Sequence, residues 1–98
     1  MRTAIAIVSC SANPTAVHVD TTAGQTCYGT AGTATYYPNM PRLYEFCAGN
    51  NHGSFRTYST ATGAYTTHSY SAGFVGDYNS YTYLYSVTIS GWSGSDHC

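Results

Sequence analysis

Few residues of this chain could carry out acid–base chemistry, and no motif places them together. A ribonuclease mechanism needs a general base, a general acid and a cation at the phosphate. Glu45, His52 or His68, and Arg42 or Arg56 could nominally fill these roles. A chain with one Glu and three Arg offers such a triple by chance, and its serines lack the Gly-x-Ser-x-Gly motif of a nucleophile elbow. We therefore predict no catalytic residues and no enzymatic activity, with a ribonuclease as the alternative.

The cysteines have a clearer chemistry. They are even in number and form no Cys-x-x-Cys pair: Cys10, Cys27, Cys47 and Cys98. In so short a chain this pattern is typical of disulfides formed in an oxidising compartment, and four cysteines allow three pairings. Two bridges would each stabilise the fold by roughly 3–4 kcal/mol in the chain-entropy model. We expect a secreted, extracellular protein with two disulfides.

Aromatic residues are the other candidates for a site, since the chain has 11 Tyr and 1 Trp. A tyrosine offers an apolar ring and a polar hydroxyl, which suit contacts with carbohydrate or protein. Rings close to turns are the best candidates for exposure. The predicted binding residues are therefore Tyr36, Tyr37, Tyr78 and Trp92.

The segment 78–85 has the densest run of tyrosines. Strict alternation along a strand would place Tyr81, Tyr83 and Tyr85 on one face. It would place Thr82, Leu84 and Ser86 on the other face. We expect the tyrosine face to pack against a neighbouring strand, and an exposed binding platform is the alternative.

Charged side chains are scarce, because the sequence has three Lys or Arg, four Asp or Glu, and a formal net charge of −1. Nucleic-acid binding normally needs clustered basic residues that release counterions, so we expect no nucleic-acid partner. The apolar run at 4–8 is shorter than the roughly 7–15 residues of a signal-peptide core, and no segment reaches the ~20 apolar residues of a membrane span. We interpret residues 1–98 as one mature domain.

The elements that must position these residues are short strands. Runs rich in β-branched and aromatic residues are separated by Gly, Pro and Asn, and no window has helical periodicity. The predicted strands are 4–8, 16–19, 25–28, 34–37, 42–46, 54–58, 64–70 and 81–89, with turns at 38–41 and 50–53 among others. Eight strands predict an all-β domain built from two four-stranded units.

Four stretches of the sequence, taken in order, resemble a known family. They are Val-Ser-Cys at 8–10, Ala-Val-His-Val at 16–19, Thr-Cys-Tyr-Gly-Thr-Ala-Gly-Thr at 26–33 and Leu-Tyr-Glu-Phe-Cys-Ala-Gly-Asn-Asn at 43–51. Together with the aromatic strands that follow, they resemble the killer-toxin-like proteins of actinomycetes, which are single-domain members of the βγ-crystallin superfamily.

The resemblance spans roughly residues 5–89 and implies two interlocked Greek keys in a β-sandwich, which agrees with the strand count. It also implies a Cys10–Cys27 bridge, and this leaves Cys47 to pair with Cys98. The second bridge and the tail at 90–98 depart from the simplest pattern of the family.

The stretch Asn50-Asn51-His52-Gly53-Ser54-Phe55 is similar to the calcium-binding loop of the βγ-crystallins. Calcium takes side-chain and backbone oxygens on a tight turn, so Asn50, Asn51 and Ser54 are candidate ligands. The leading residues are neutral and Phe55 replaces a Ser, so we expect weak binding or none, and a simple turn is the favoured alternative. We expect no other cofactor, since the four histidines lack the spacings of transition-metal sites.

The resemblance implies a binding function. Killer-toxin-like proteins impair the growth of yeasts and filamentous fungi, so the implied partner is a fungal cell-wall or membrane component. An extracellular inhibitor of a secreted hydrolase is the second hypothesis, in which the Tyr-Pro-Asn-Met-Pro loop at 37–41 would insert, pre-organised by its prolines. A carbohydrate-binding module that uses the tyrosines is the third. We expect a monomer in each case.

Overall fold

The computed structural model describes residues 5–98, and these form nine β-strands and no helix. The strands are β1 (Ile7–Val8), β2 (Val17–Thr21), β3 (Gly24–Tyr28), β4 (Gly32–Thr35), β5 (Leu43–Cys47), β6 (Asn51–Ser59), β7 (Tyr65–Tyr70), β8 (Val75–Asp77) and β9 (Thr82–Trp92). Within this described range no helix is long and apolar enough to cross a membrane. The all-β prediction is confirmed.

Both disulfides are present with the predicted pairing, Cys10–Cys27 and Cys47–Cys98. The first joins the segment after β1 to β3. The second joins the end of β5 to the last residue of the chain, whose backbone N–H also donates to the carbonyl of Pro14 at 2.9 Å. The tail is thereby fixed to the sheet that contains β5.

The strands form two antiparallel sheets that exchange one strand each. One sheet has the order β1-β3-β2-β5-β8, and the other has the order β4-β9-β6-β7. Strand β4 comes from the first half of the chain but pairs with β9, whereas β8 comes from the second half and pairs with β5. Each half of the chain therefore completes the sheet of the other half.

The core lies between the two sheets. Its most buried members come from both of them: Val17, Val19, Leu43 and Phe46 from one, and Phe55, Leu84, Val87 and Ile89 from the other. Phe46 of β5 stacks on Phe55 of β6 with ring centres 4.1 Å apart and planes inclined by 16°. Such a pair contributes about 0.5–1.5 kcal/mol beyond the burial of its surface. This stack joins the two sheets near the centre of the domain.

The strand predictions need several corrections. The structure has nine strands in a five-stranded and a four-stranded sheet, where eight strands in two four-stranded units were predicted, and β4 is Gly32–Thr35 where 34–37 was predicted. Strand β8 was not predicted, because Gly76 and Asp77 weaken the strand pattern of this segment. The turn predicted at 50–53 is wrong from Asn51 onward, where β6 already pairs with Trp92 at the end of β9. The same pairing extends β9 three residues beyond the predicted end, since tertiary contacts override local propensity.

Three β-bulges interrupt the strand pairing of the described residues, one at His52 and Gly53 of β6 and two that set the faces of tyrosines on β9 and β5. Arg56 pairs with Ser86 but the next residue, Thr57, pairs with Leu84, so Tyr85 has no direct partner in β6. Residues directly opposite each other share a face, so Ser86 lies on the outer face with the exposed Arg56. The prediction that Ser86 shares the face of Leu84 is therefore wrong, because the bulge adds one residue to the strand.

The second of these tyrosine bulges lies at the corresponding place in the other sheet. Asp20 pairs with Glu45 and Thr21 pairs with Leu43, which leaves Tyr44 without a direct partner in β2. Both sheets thus have a tyrosine at a bulge of a central strand, on the face away from the core.

Candidate functional site

A cleft on the outer face of the four-stranded sheet is the best candidate for a binding site. Its volume is about 340 Å³, and it is lined by Tyr37, Arg56, Tyr65 and Tyr85, which we call the tyrosine cleft. Tyr37 lies in the loop after β4, and the other three lie on β6, β7 and β9. Four separate segments of the chain therefore have to come together to form it.

The rings of the cleft are already in contact with one another. Tyr37 stacks on Tyr85 with ring centres 5.4 Å apart, and Tyr65 meets Tyr85 edge to face at 5.5 Å. Tyr37 and Tyr65 are 55% and 45% exposed, respectively. Contact with its neighbours limits the rotation of each ring, so the cleft presents partly ordered aromatic surfaces to solvent.

Arg56 forms the charged part of the cleft. Its guanidinium carbon lies 5.2 Å from the ring centre of Tyr65 and 5.4 Å from that of Tyr85. Cation–π attraction at an exposed site contributes about 0.5–1 kcal/mol and holds the side chain among the rings. The guanidinium has five N–H donors, so it can still donate hydrogen bonds to a ligand.

No protein-family model, curated protein or solved structure matches this chain.

The structure divides the four predicted binding residues into two pairs. Tyr37 lines the tyrosine cleft, and Trp92 is 55% exposed at the end of β9. Tyr36 and Tyr78 are partly buried and pack against the core, so the prediction that they are exposed is wrong. Their use in binding stays untested.

The two buried tyrosines are held by contacts with interior residues. The hydroxyls of Tyr36 and Tyr28 share a hydrogen bond, and burial raises the pKa of Tyr36 above its usual range. Tyr78 meets Phe55 edge to face with ring centres 5.9 Å apart, and burial also raises the pKa of Tyr78. Both rings contribute to packing between the sheets.

Trp92 borders a second, smaller pocket of about 160 Å³ together with Asn50 and Asn51. Asn51 is 2% exposed, and its amide nitrogen donates to the carbonyls of Thr15 and Ala48, both at 2.9 Å. The amide nitrogen of Asn50 donates to the carbonyl of Gly94 at 3.2 Å. These amides hold three backbone segments together around the pocket.

The candidate calcium ligands are placed on two different elements. Asn50 precedes β6, whereas Ser54 lies within β6 opposite Ser69 and Thr88. The only cluster of three His, Cys or acidic ligand atoms among residues 5–98 is Cys10, His18 and Cys27, and both of its sulfurs are in a disulfide. Calcium binding stays a prediction.

The residues of the ribonuclease alternative are not brought together. Glu45 lies on the sheet that contains β5, whereas His52, His68 and Arg56 lie on the other sheet. His68 stacks on Phe55 at 4.7 Å, and desolvation lowers its pKa, which favours the neutral imidazole. Arg42 lies over the ring of Tyr44 at 4.3 Å.

The sequence prediction did not include Arg56, Tyr65 or Tyr85 among the favoured binding residues. Arg56 was named only in the ribonuclease alternative, and Tyr85 only in the alternative of an exposed tyrosine platform. Arg56 follows a core residue, Phe55, in strict alternation, and this could have placed it on the outer face. Nothing in the sequence brings Tyr37 beside Tyr85, because that contact depends on the pairing of β4 with β9.

Proposed function

We propose that this chain is a secreted binding domain that attaches to a polysaccharide of the fungal cell wall through the tyrosine cleft. We propose further that it acts as an antifungal protein of the killer-toxin-like kind, without catalysis. The observation that carries the proposal is the packing of Tyr37 and Tyr65 against Tyr85, beside Arg56, on an exposed sheet face.

The chemistry of the cleft suits a sugar. A pyranose has an apolar face that can lie on an aromatic ring and hydroxyls that exchange hydrogen bonds with tyrosine hydroxyls and a guanidinium. A volume of about 340 Å³ lies within the range of small-ligand sites, roughly 300–1,000 Å³. Rings that are already packed lose little conformational entropy when a ligand binds, which favours affinity.

The topology supports membership of the βγ-crystallin superfamily. Strands β2 to β5 and strands β6 to β9 follow the same plan, because the sheets contain the orders β3-β2-β5-β8 and β7-β6-β9-β4. In each half the third strand joins the sheet of the other half, which is the arrangement expected of two interlocked Greek keys.

Local details repeat between the halves as well. Leu43-Tyr44-Glu45-Phe46 and Leu84-Tyr85-Ser86-Val87 each place a tyrosine at the bulge between two buried apolar residues. The N–H of Tyr36 donates to the carbonyl of Tyr85 at 2.8 Å, and that of Tyr78 donates to the carbonyl of Tyr44 at 2.9 Å. This internal repeat is what a Greek-key duplication would leave.

Extracellular localisation is consistent with the two disulfides, which persist in oxidising compartments. They join the early segment and the last residue to strands β3 and β5 of the five-stranded sheet.

Sedimentation with insoluble chitin, β-glucan and mannan tests the proposal, using oxidised protein. We expect the wild type to bind at least one of them, and Tyr65→Ala and Tyr85→Ala to reduce its affinity about tenfold or more, since stacked rings are lost. Tyr44→Ala is the matched control, because Tyr44 occupies the corresponding bulge on the other sheet. Loss of wall binding by Tyr44→Ala to the same extent, or no wild-type binding, would contradict the proposal.

Growth inhibition tests the antifungal part separately. Wild-type protein should inhibit the growth of yeast or filamentous fungi, and Tyr85→Ala should inhibit less in proportion to its loss of wall binding. Inhibition that is independent of wall binding would separate the two roles and overturn the link between them.

An inhibitor of a secreted hydrolase is the second candidate. The segment 37–39 is exposed, and the N–H of Asn39 donates to the carbonyl of Tyr36 at 2.9 Å, which fixes the turn. Met40 is partly buried and is a poorer inserting residue than Pro38 or Asn39. Inhibition of a hydrolase that is lost with Asn39→Ala but kept with Tyr65→Ala would favour this candidate over the wall-binding proposal.

A further inference from the structure

The charge distribution of the domain singles out Arg56. Three of the four side-chain carboxylates form a row across neighbouring strands of the other sheet, where Asp20 pairs with Glu45 and Glu45 pairs with Asp77. The fourth, Asp96, lies beside Gly73, outside the four-stranded sheet. Among residues 5–98, the guanidinium in the tyrosine cleft therefore has no side-chain carboxylate on its own sheet face to neutralise it.

The cation is also held in a defined place. The guanidinium lies near the rings of both Tyr65 and Tyr85, so a ligand that contacts it loses less side-chain entropy than it would with a free arginine. A planar guanidinium donates two parallel hydrogen bonds to a carboxylate or a phosphate, and such charge-assisted bonds are about twice as strong as neutral ones. A neutral sugar would use only part of this capacity.

We propose that the tyrosine cleft selects an acidic glycan, in which a sugar ring lies against the tyrosines and its negative group accepts hydrogen bonds from Arg56. This inference rests on the proposed function, since it names the charge of the polysaccharide. A uronic-acid carboxylate and a phosphodiester on a mannan chain present the same chemistry, namely negative oxygens at the edge of a pyranose.

The attraction is local and not a property of the whole chain. The net charge is −1, so long-range steering of an anion toward the protein is absent. We therefore expect affinity for the acidic glycan to fall only modestly with salt, as for one partly exposed ion pair.

Calorimetric titration with two matched pairs of oligosaccharides tests the inference. The first pair is oligogalacturonate and its methyl ester, and the second is phosphorylated mannan oligosaccharide and its dephosphorylated form. Wild-type protein should bind the acidic member of at least one pair about tenfold more tightly than the neutral member, as expected when a charge-assisted contact is gained. The two pairs distinguish a carboxylate from a phosphate.

Arg56→Gln should remove this preference, because it should lower affinity for the acidic member much more than affinity for the neutral member, and Arg56→Lys should restore part of the preference. Arg42→Gln is the control, because it makes the same change in net charge at a residue that lies over Tyr44. Thermal melts of each variant establish that it is folded.

Each of the other possible outcomes would overturn a specific part of the proposal. Equal affinity for acidic and neutral members would overturn the acidic-glycan inference and leave the wall-binding proposal intact. A preference that survives Arg56→Gln, or that Arg42→Gln also removes, would overturn the role of Arg56. Absence of binding to any of these glycans and to wall polysaccharide would overturn both proposals.

Discussion

Removal of the Cys47–Cys98 disulfide should destabilise the domain more than removal of Cys10–Cys27. The bridges span 51 and 17 residues along the chain. In the chain-entropy model their loss costs about 4.1 and about 3.1 kcal/mol respectively, because the longer bridge restricts the unfolded chain more. The expected difference is thus about 1 kcal/mol between the double variants Cys47→Ala/Cys98→Ala and Cys10→Ala/Cys27→Ala.

The comparison is well matched, because each bridge joins one buried cysteine to one that is more exposed. Cys27 and Cys47 are 0% and 5% exposed, whereas Cys10 and Cys98 are partly or fully exposed. The two double variants therefore lose similar amounts of buried sulfur surface, and these losses largely cancel in the difference between their free energies of unfolding. Urea unfolding followed by circular dichroism and tyrosine fluorescence gives the free energy of unfolding of each variant by linear extrapolation.

The opposite order would refute the reasoning. If the variant without Cys10–Cys27 were less stable by 1 kcal/mol or more, chain entropy would not decide the contribution of each bridge. The packing of Cys27 within β3 would then be the larger effect.

Three further predictions concern the backbone, the carboxylates and calcium. Gly49→Ala should destabilise the domain by more than about 2 kcal/mol in thermal melts, because an added Cβ would lie 2.2 Å from the carbonyl oxygen of Thr15. Gly63 also has a positive φ, but a Cβ added there would have no atom within 4 Å, so Gly63→Ala should cost only the backbone strain of about 1–2 kcal/mol. Equal losses of stability in the two variants would contradict the steric argument. A hydrogen bond to Asp77 raises the pKa of Glu45 in the folded protein. Protonated Glu45 therefore stabilises the fold below its usual pKa of 4.5, and this stabilisation is lost as the pH rises through the raised pKa. Glu45→Gln should therefore raise the free energy of unfolding by a few tenths of a kcal/mol at pH 7 and not at pH 3, and an equal gain at both would be inconsistent with carboxylate repulsion. Millimolar calcium should leave the melting temperature unchanged, and a clear rise would show that the neutral loop at 50–54 binds the ion after all.

The strand positions could be predicted because short β-branched and aromatic runs are bounded by turn residues, as at 16–19 and 25–28. The bulges were not predicted, although the sequence contains a trace of them. Leu43 and Phe46 are three residues apart and both buried, as are Leu84 and Val87, and strict alternation cannot place either pair on one face. This spacing of apolar residues is the feature of the sequence that could have indicated the bulges.

The site was harder to predict than the fold, because exposure of a tyrosine depends on partners that are distant in sequence. Tyr36 and Tyr78 lie close to turns, and exposure was predicted for both. Their N–H groups instead donate to the carbonyls of Tyr85 and Tyr44, respectively. These bonds continue each sheet beyond the strand end and keep both rings against the core. Tyr65 was predicted only as a strand residue, and its contact with Tyr85 requires both to flank β6.

The internal repeat also allows the two equivalent surfaces to be compared as sites for the proposed anionic ligand. Tyr44 and Tyr85 occupy matching bulges, but the residue after Tyr44 is Glu45, whereas the residue after Tyr85 is Ser86. Glu45 sits within a row of carboxylates on the outer face of its sheet, and Arg56 faces outward on the opposite side of the domain. The carboxylate row would repel a polyanion, whereas the proposed site would offer it the Arg56 cation at short range. A domain that binds an acidic wall polysaccharide through the tyrosine cleft would therefore attach in one orientation, with its carboxylate row turned away from the wall.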